Sequence, residues 1–459
     1  MKNMGCEALM NMWQLNESLG KQPLQEIQSI TFLRELCIEN CLNLVSFPEI
    51  RLLSNLSKLE IKNCNALMSL PVGMEHNTQL ESVKIEGCDS LTFIVRGKLP
   101  SSLKRLQVRY CYRLVCLLDD REESCISPSM LELHKQNINS NSTSLLQYIH
   151  VHNCPALTCL SSSGKLPTTL QNLFMVYCSQ LTMLSSSGLL PKTLCSLFIT
   201  DVPKLESIAE RFHNDMSLEH IWITDCENLK SLPEGLHNLS RLQEIRLWNC
   251  PSIVYFPEGG LPNTSLNVSI INCRKLKALP NHMHSLNSFQ QFEIKQCPSI
   301  KSFPEEGFPI NLTAIEIEGG LNIYKPLVEW GLHNLTSLTY LKIFGCPDAE
   351  SFPQQDMGMM LPHSLTHLCI ERFPKLKYLW FQALQNLTSL EILRITGCPN
   401  LTFFPECGLP SSLLRLQIRD CPLLEKQCRS DNGKVRSIIS HIPCVEIDFK
   451  FIGDDTEEK

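Results

Sequence analysis

The chain has 459 residues, 43% of them hydrophobic and 19% charged, and 41 Lys and Arg stand against 47 Asp and Glu for a formal net charge of −6. That balance excludes an overall basic footprint for nucleic acid, and no apolar stretch of about 18 residues is present to span a bilayer as a helix. The 23 Cys are about 5% of the chain, below the roughly 8–10% of disulfide scaffolds, and the opening Met1-Lys2-Asn3-Met4-Gly5-Cys6-Glu7 lacks the uninterrupted apolar core of a secretory signal.

In chain order, residues 1–31 read as an incomplete N-terminal repeat that holds Cys6 and a short amphipathic helix on Leu24, Ile27 and Ile30. From 32 to 421 one line recurs, L-x-x-L-x-I-x-x-C-x-x-L-x-x-L, often closed by Pro. Clear copies are Leu56, Leu59, Ile61, Cys64, Leu67, Leu70, Pro71 and Leu390, Leu393, Ile395, Cys398, Leu401, Phe404, Pro405. Taking the Cys position as anchor, copies fall at 6, 41, 64, 88, 111, 154, 178, 202, 226, 250, 273, 297, 320, 346, 373, 398 and 421. Fourteen of these are Cys; the others are Val202, Gly320 and Phe373. Most intervals are 23 or 24 residues, inside the leucine-rich-repeat range of about 20–29. The interval of 43 between Cys111 and Cys154 contains the run Asp119-Asp120-Arg121-Glu122-Glu123 and the polar run 137–144, so an irregular insert is expected over about 112–144. After Cys421 a cap is expected over 422–459: a short helix over Lys434 to Ile442, a last strand on Val445-x-Ile447, and an acidic tail from Asp454 to Glu458.

Alternation explains the period. Leu59-x-Ile61 puts two apolar side chains on one face of a short strand, and one coil cannot bury that face alone. Stacked coils bury it continuously, with stability close to a sum over neighbours. The fold class is therefore an α/β repeat, a leucine-rich-repeat solenoid curved into a horseshoe, with a concave parallel β-sheet and an irregular or short-helical convex side. The anchor thiols read as structural: small, mostly apolar, each a weak S–H donor to a carbonyl left at the turn. No C-x-x-C is present and the anchors come one per coil, which is not tetrahedral metal spacing; no metal or other cofactor is expected.

The segments "LPSSLKRLQVRYCYRL", "CENLKSLPEGLHNLSRLQEIRLWNCPSI", "FPECGLPSSLLRLQIRDCPLLEKQC" and "HIPCVEIDF" carry a resemblance. The chain resembles, over about residues 1–450, the leucine-rich-repeat half of plant coiled-coil nucleotide-binding leucine-rich-repeat (NB-ARC LRR) disease resistance proteins. The resemblance implies a non-enzymatic, cytoplasmic or nucleo-cytoplasmic recognition module of innate immunity. Its expected partner is a pathogen effector, a guarded host protein or the nucleotide-binding domain that such relatives also carry. The family's helical signalling domain and nucleotide switch are not matched here: Ser163-Gly164-Lys165-Leu166 lacks the rest of a phosphate loop, so no nucleotide site carries over. The chain starts almost on an anchor, without a capping repeat, which reads as a fragment of a longer or truncated product.

Contact residues on such a solenoid are the outward strand positions, four residues before each anchor, with neighbours at six and two before. The column at minus four is mostly polar or charged, but turns aromatic at Phe174, Phe198 and Trp222, with His150 before them and Arg246 after. Flanking positions add Tyr148, His152, His220 and Trp248. Exposed aromatic area of this kind marks an interface, with Trp, Tyr and Arg the favoured anchors; the bland reading is a ladder of rings that only stack on one another. His150-x-His152 without a third ligand reads as surface, not metal. The coil holding Arg96, Lys98, Lys104, Arg105, Arg109 and Arg113 is basic, and Asp119, Asp120, Glu122 and Glu123 close behind favour local charge pairing over a patch for an acidic partner.

Ten Asn-x-Ser/Thr sequons would be glycan sites in a secreted repeat protein, but several sit in the recurring segment leading into a strand, where Asn and Thr serve turn roles, and unpaired thiols favour a reducing compartment. An enzyme would need a motif such as G-x-S-x-G or H-E-x-x-H, and neither occurs. A substrate-selecting adaptor of a ubiquitin ligase is the alternative binding role, although no F-box-like helical segment is visible, and a truncated fragment that folds but does not signal is the third reading.

Overall fold

The computed structural model describes residues 2–4, 33–46, 55–70, 74–96, 99–119, 145–300, 307–318, 327, 331–355, 358–402, 404–405, 408–429 and 433–451. The chain is a leucine-rich-repeat solenoid: among the described residues, successive coils each give one short strand to a mostly parallel sheet, and there is little helix. It divides into two compact units, Met1–Arg241 with Asn249–Ser252, and Leu242–Trp248 with Ile253–Lys459.

In the first unit the strands Glu35–Glu39, Lys58–Lys62, Ser82–Glu86, Arg105–Arg109, Tyr148–His152, Asn172–Val176, Ser196–Thr200 and His220–Thr224 follow one another in a parallel ladder. Lys2–Met4 pairs with Leu36, Cys37 and Ile38; the helix expected on Leu24 to Ile30 lies outside the described residues. The return side carries its own parallel ladder of Phe93–Arg96, Cys116–Asp119 and Cys159–Ser161. Residues 112–119, expected to begin the irregular insert, are thus regular solenoid, because Cys116 and Leu118 pair on both sides; the rest of that segment lies outside the described residues.

The second unit repeats the plan from Glu244–Trp248 to Arg415–Arg419. At its C-terminal end the helices Pro422–Arg429 and Gly433–Ile439 precede Cys444–Ile447, which adds in parallel to Arg415–Arg419, and Lys450–Phe451 folds back antiparallel. The expected cap is thus joined by a first helix that the sequence reading missed. The acidic tail lies outside the described residues.

The core is the expected one. Strand residues alternate, so Ile149 and Val151, or Ile221 and Ile223, are fully buried under the sheet. The anchors Cys64, Cys88, Cys111, Cys154, Cys178, Val202, Cys226 and Phe373 are all 0% exposed; Gly320 lies outside the described residues. The thiols donate as expected, each Sγ reaching the carbonyl two residues back, at 3.3 Å from Cys64 to Lys62, 3.5 Å from Cys226 to Thr224 and 3.2 Å from Cys421 to Arg419. Burial pushes the Cys88 and Cys178 thiols up to about 12, so they stay protonated donors. The 20 described Cys are all free thiols.

One device was not anticipated. The residue just before each anchor turns the chain with positive φ: Asn40, Asn63, Gly87, Tyr110, Asn153, Tyr177, Asp201, Asp225, and in the second unit Asn272, Gln296, Gly345, Arg372, Gly397 and Asp420. Its N–H extends the ladder past the strand, as from Asn63 to the Glu86 carbonyl at 2.8 Å and from Arg372 to Thr396 at 2.8 Å. Left-handed backbone suits Gly, Asn and Asp, and costs other residues about 1–2 kcal/mol. On the return side, the recurring G-L-H-N segments form the 3-10 turns Leu236–Asn238 and Leu332–Asn334, each entered through a left-handed Gly and burying its Leu.

Candidate protein-recognition surface

The strand face of the first unit brings most of the expected residues together. Parallel pairing sets Gln107 opposite His150, His150 opposite Phe174, Phe174 opposite Phe198 and Phe198 opposite Trp222. Strand spacing of about 4.8 Å forces these side chains into contact. The rings of Phe174 and Phe198 stack with centroids 4.6 Å apart at 3°. Phe198 meets Trp222 edge-on at 4.7 Å, and His150 lies 5.7 Å from Phe174. Tyr148, on the neighbouring column, covers Phe174 at 5.3 Å. His220, opposite Ser196 on that same column, keeps partial exposure beside Trp222. Mutual stacking leaves each ring half-buried.

Arg246 and Trp248 lie on the strand Glu244–Trp248 of the second unit. Arg246 is exposed and paired with Glu244 at 2.6 Å, and Trp248 is 57% exposed.

The ring row begins at a cluster of one guanidinium, Arg109, and two imidazoles. Arg109 Nη2 stands 3.4 Å from His150 Nδ1, and the rings of Tyr110 and Tyr177 close edge-on over His152 at 5.1 and 5.5 Å. Burial, with Arg109 nearby, holds His150 down to about 4 and lowers His152 as well, so both imidazoles are neutral at neutral pH. Arg109 Nε and His152 Nδ1 are buried without a hydrogen-bond partner among the described residues. Arg109, Tyr110 and Tyr177 did not stand out as site residues in the sequence. The signal was the minus-one column: Asn, Gly or Asp in most coils, but Tyr in these two. Of the basic coil, Lys104 reaches Glu81 at 2.8 Å; the pairing expected with residues 120–123 lies outside the described residues.

The remaining strand face is chemically different. Its charges pair within strands and across coils: Glu60 with Lys62 and Lys84, both at 3.1 Å, Lys295 with Glu293 and Glu316, Lys342 with Glu371 at 3.0 Å, Arg419 with Glu446 at 2.8 Å. Four positions expected to face solvent, Cys37, Glu60, Cys369 and Gln417, are buried by their neighbours. Among the described residues, no group of three or more metal-ligating side chains forms and no helix is long and apolar enough to cross a membrane.

No family model matches the chain, and no curated protein does. Among solved structures it is similar to a leucine-rich-repeat protein of Leptospira interrogans, 18% identical over 94% of this chain and 100% of that one, with a TM-score of 0.42. It is also similar to YopM, a leucine-rich effector protein from Yersinia pestis, 19% identical over 95% of this chain and 98% of that one, with a TM-score of 0.37. The plant peptide hormone receptor RGFR1, solved with RGF2, is 14% identical over 86% of this chain and 72% of that one, with a TM-score of 0.33.

Proposed function

We propose that the chain is a protein-recognition module of plant intracellular immunity, binding a pathogen effector or a guarded host protein through the strand face of its first unit. The observation that carries the recognition reading is the row His150, Phe174, Phe198 and Trp222, rings in contact yet only partly buried, on a face where many charges are neutralised by their neighbours. A ring row gains further stability when a partner covers its exposed area, and truncating such an anchor costs about 2 kcal/mol, close to 30-fold in affinity. Plant immunity and a cytoplasmic site rest on the resemblance of the repeat segments and on free thiols throughout the described coils.

The test is quantitative recovery of partners from plant cytosol with the wild-type chain and with Phe198→Ala plus Trp222→Ala, both checked for intact secondary structure by circular dichroism. At least a tenfold drop in recovered partner is expected; equal recovery rejects the surface. A mobility shift of the plant-expressed chain after glycosidase treatment would reject the cytoplasmic assignment.

A further inference from the structure

Several cations on the strand face have acids beside them. Lys62, Lys84, Arg246, Lys295, Lys342 and Arg419 each meet a Glu side chain within about 3.2 Å. Arg109 meets His150 instead. The acid opposite it in the preceding strand, Glu86, turns to Lys84 at 3.2 Å. The strands packed around the two His supply Arg105 and Arg109, then Tyr110, from the preceding coil, Tyr148 from their own strand, and Tyr177 after the following strand; none of these strands contains a carboxylate. Two imidazoles and a guanidinium are thus gathered without an anion, with Arg109 Nε and His152 Nδ1 left unpartnered. Such a cluster is costly to hold and is relieved by one acceptor placed against it.

We propose that Arg109, His150 and His152 form a carboxylate subsite, taking an acidic side chain of the protein segment that lies on Phe174, Phe198 and Trp222. The inference rests on the recognition reading above and adds the partner's chemistry: an extended segment with an Asp or Glu one or two residues from an apolar or aromatic side chain. The separation follows from geometry, since His150 and Phe174 are 5.7 Å apart and an extended chain rises about 3.3 Å per residue. Binding an anion favours protonation of the two imidazoles, so affinity rises as pH falls while the partner's carboxylate is still ionised.

A display library of random 12-residue peptides, selected on the full chain, tests this. Enriched peptides are expected to carry an acid next to an apolar or aromatic residue. Their affinity should fall at least tenfold with Arg109→Gln, or when the peptide's Asp or Glu becomes Asn or Gln, and stay within twofold with Lys277→Gln. Lowering pH from 7.5 to 5.5 should tighten binding several-fold in the wild type and not in His150→Gln plus His152→Gln, a difference that a purely structural role for these residues would not produce. Peptides that depend on Phe198 and Trp222 but ignore Arg109 sink the subsite and leave the recognition surface standing. No enriched peptide, or peptides indifferent to all three side chains, sinks both.

Discussion

A single imidazole carries a measurable consequence for stability. His150 is held down to about 4 in the folded chain, by burial first and by Arg109 second, whereas an unfolded His titrates near 6.5. Below about pH 6.5 the unfolded chain takes up a proton that the folded chain refuses, so this residue adds nothing above pH 6.5 and destabilises progressively down to pH 4. Allowing for solvent screening of a half-buried ring, the cost is about 2 kcal/mol. Urea unfolding at pH 7.5 and 4.5 measures it: His150→Gln should lose about 2 kcal/mol less than wild type between the two, and an equal loss would show that the ring is not held neutral. The His150 position itself was legible, because counting four back from each anchor finds it. Its neutrality was not, since that depends on where the Arg109 side chain turns.

The recurring element is the strand with its turn, and the sequence disclosed the two halves unequally. L-x-I followed by Cys specifies the buried face and the anchor, so the strands appear where the period put them. The left-handed residue before the anchor was missed because Tyr110, Tyr177, Gln296 and Arg372 have no intrinsic preference for positive φ; the bond that each N–H makes imposes it, to a carbonyl of the next coil from Tyr110, Tyr177 and Arg372 and to the Glu318 carboxylate from Gln296. Relief of that strain should be visible. Gln296→Gly, at φ 54, should stabilise the chain by about 0.5–1 kcal/mol in chemical denaturation, the left-handed penalty exceeding the entropic cost of Gly. The reverse holds at the return turn, where Gly235 has φ 80 and an added Cβ would stand 2.7 Å from the Phe212 carbonyl oxygen. Gly235→Ala should cost about 2 kcal/mol or more, and a neutral result would mean that this turn can shift.

For the whole molecule, contacts run almost wholly between successive coils, so a local defect should spread to neighbours and fade with coil distance. The second unit offers a clean case. Leu368 is fully buried between Leu341 and Leu393, and Leu368→Ala should cost about 2–5 kcal/mol. Its own coil is anchored by Phe373, while the coils on either side carry Cys346 and Cys398. Enclosed thiols react with an alkylating reagent only when their coil opens. The variant should therefore speed labelling of Cys346 and Cys398 well above that of Cys273, read by mass spectrometry peptide by peptide; uniform acceleration would show that the unit opens all at once. The anchor column that fixes the turns thus also provides a chemical clock, one natural reporter in most coils, through which the order of opening along the solenoid can be timed without adding a label.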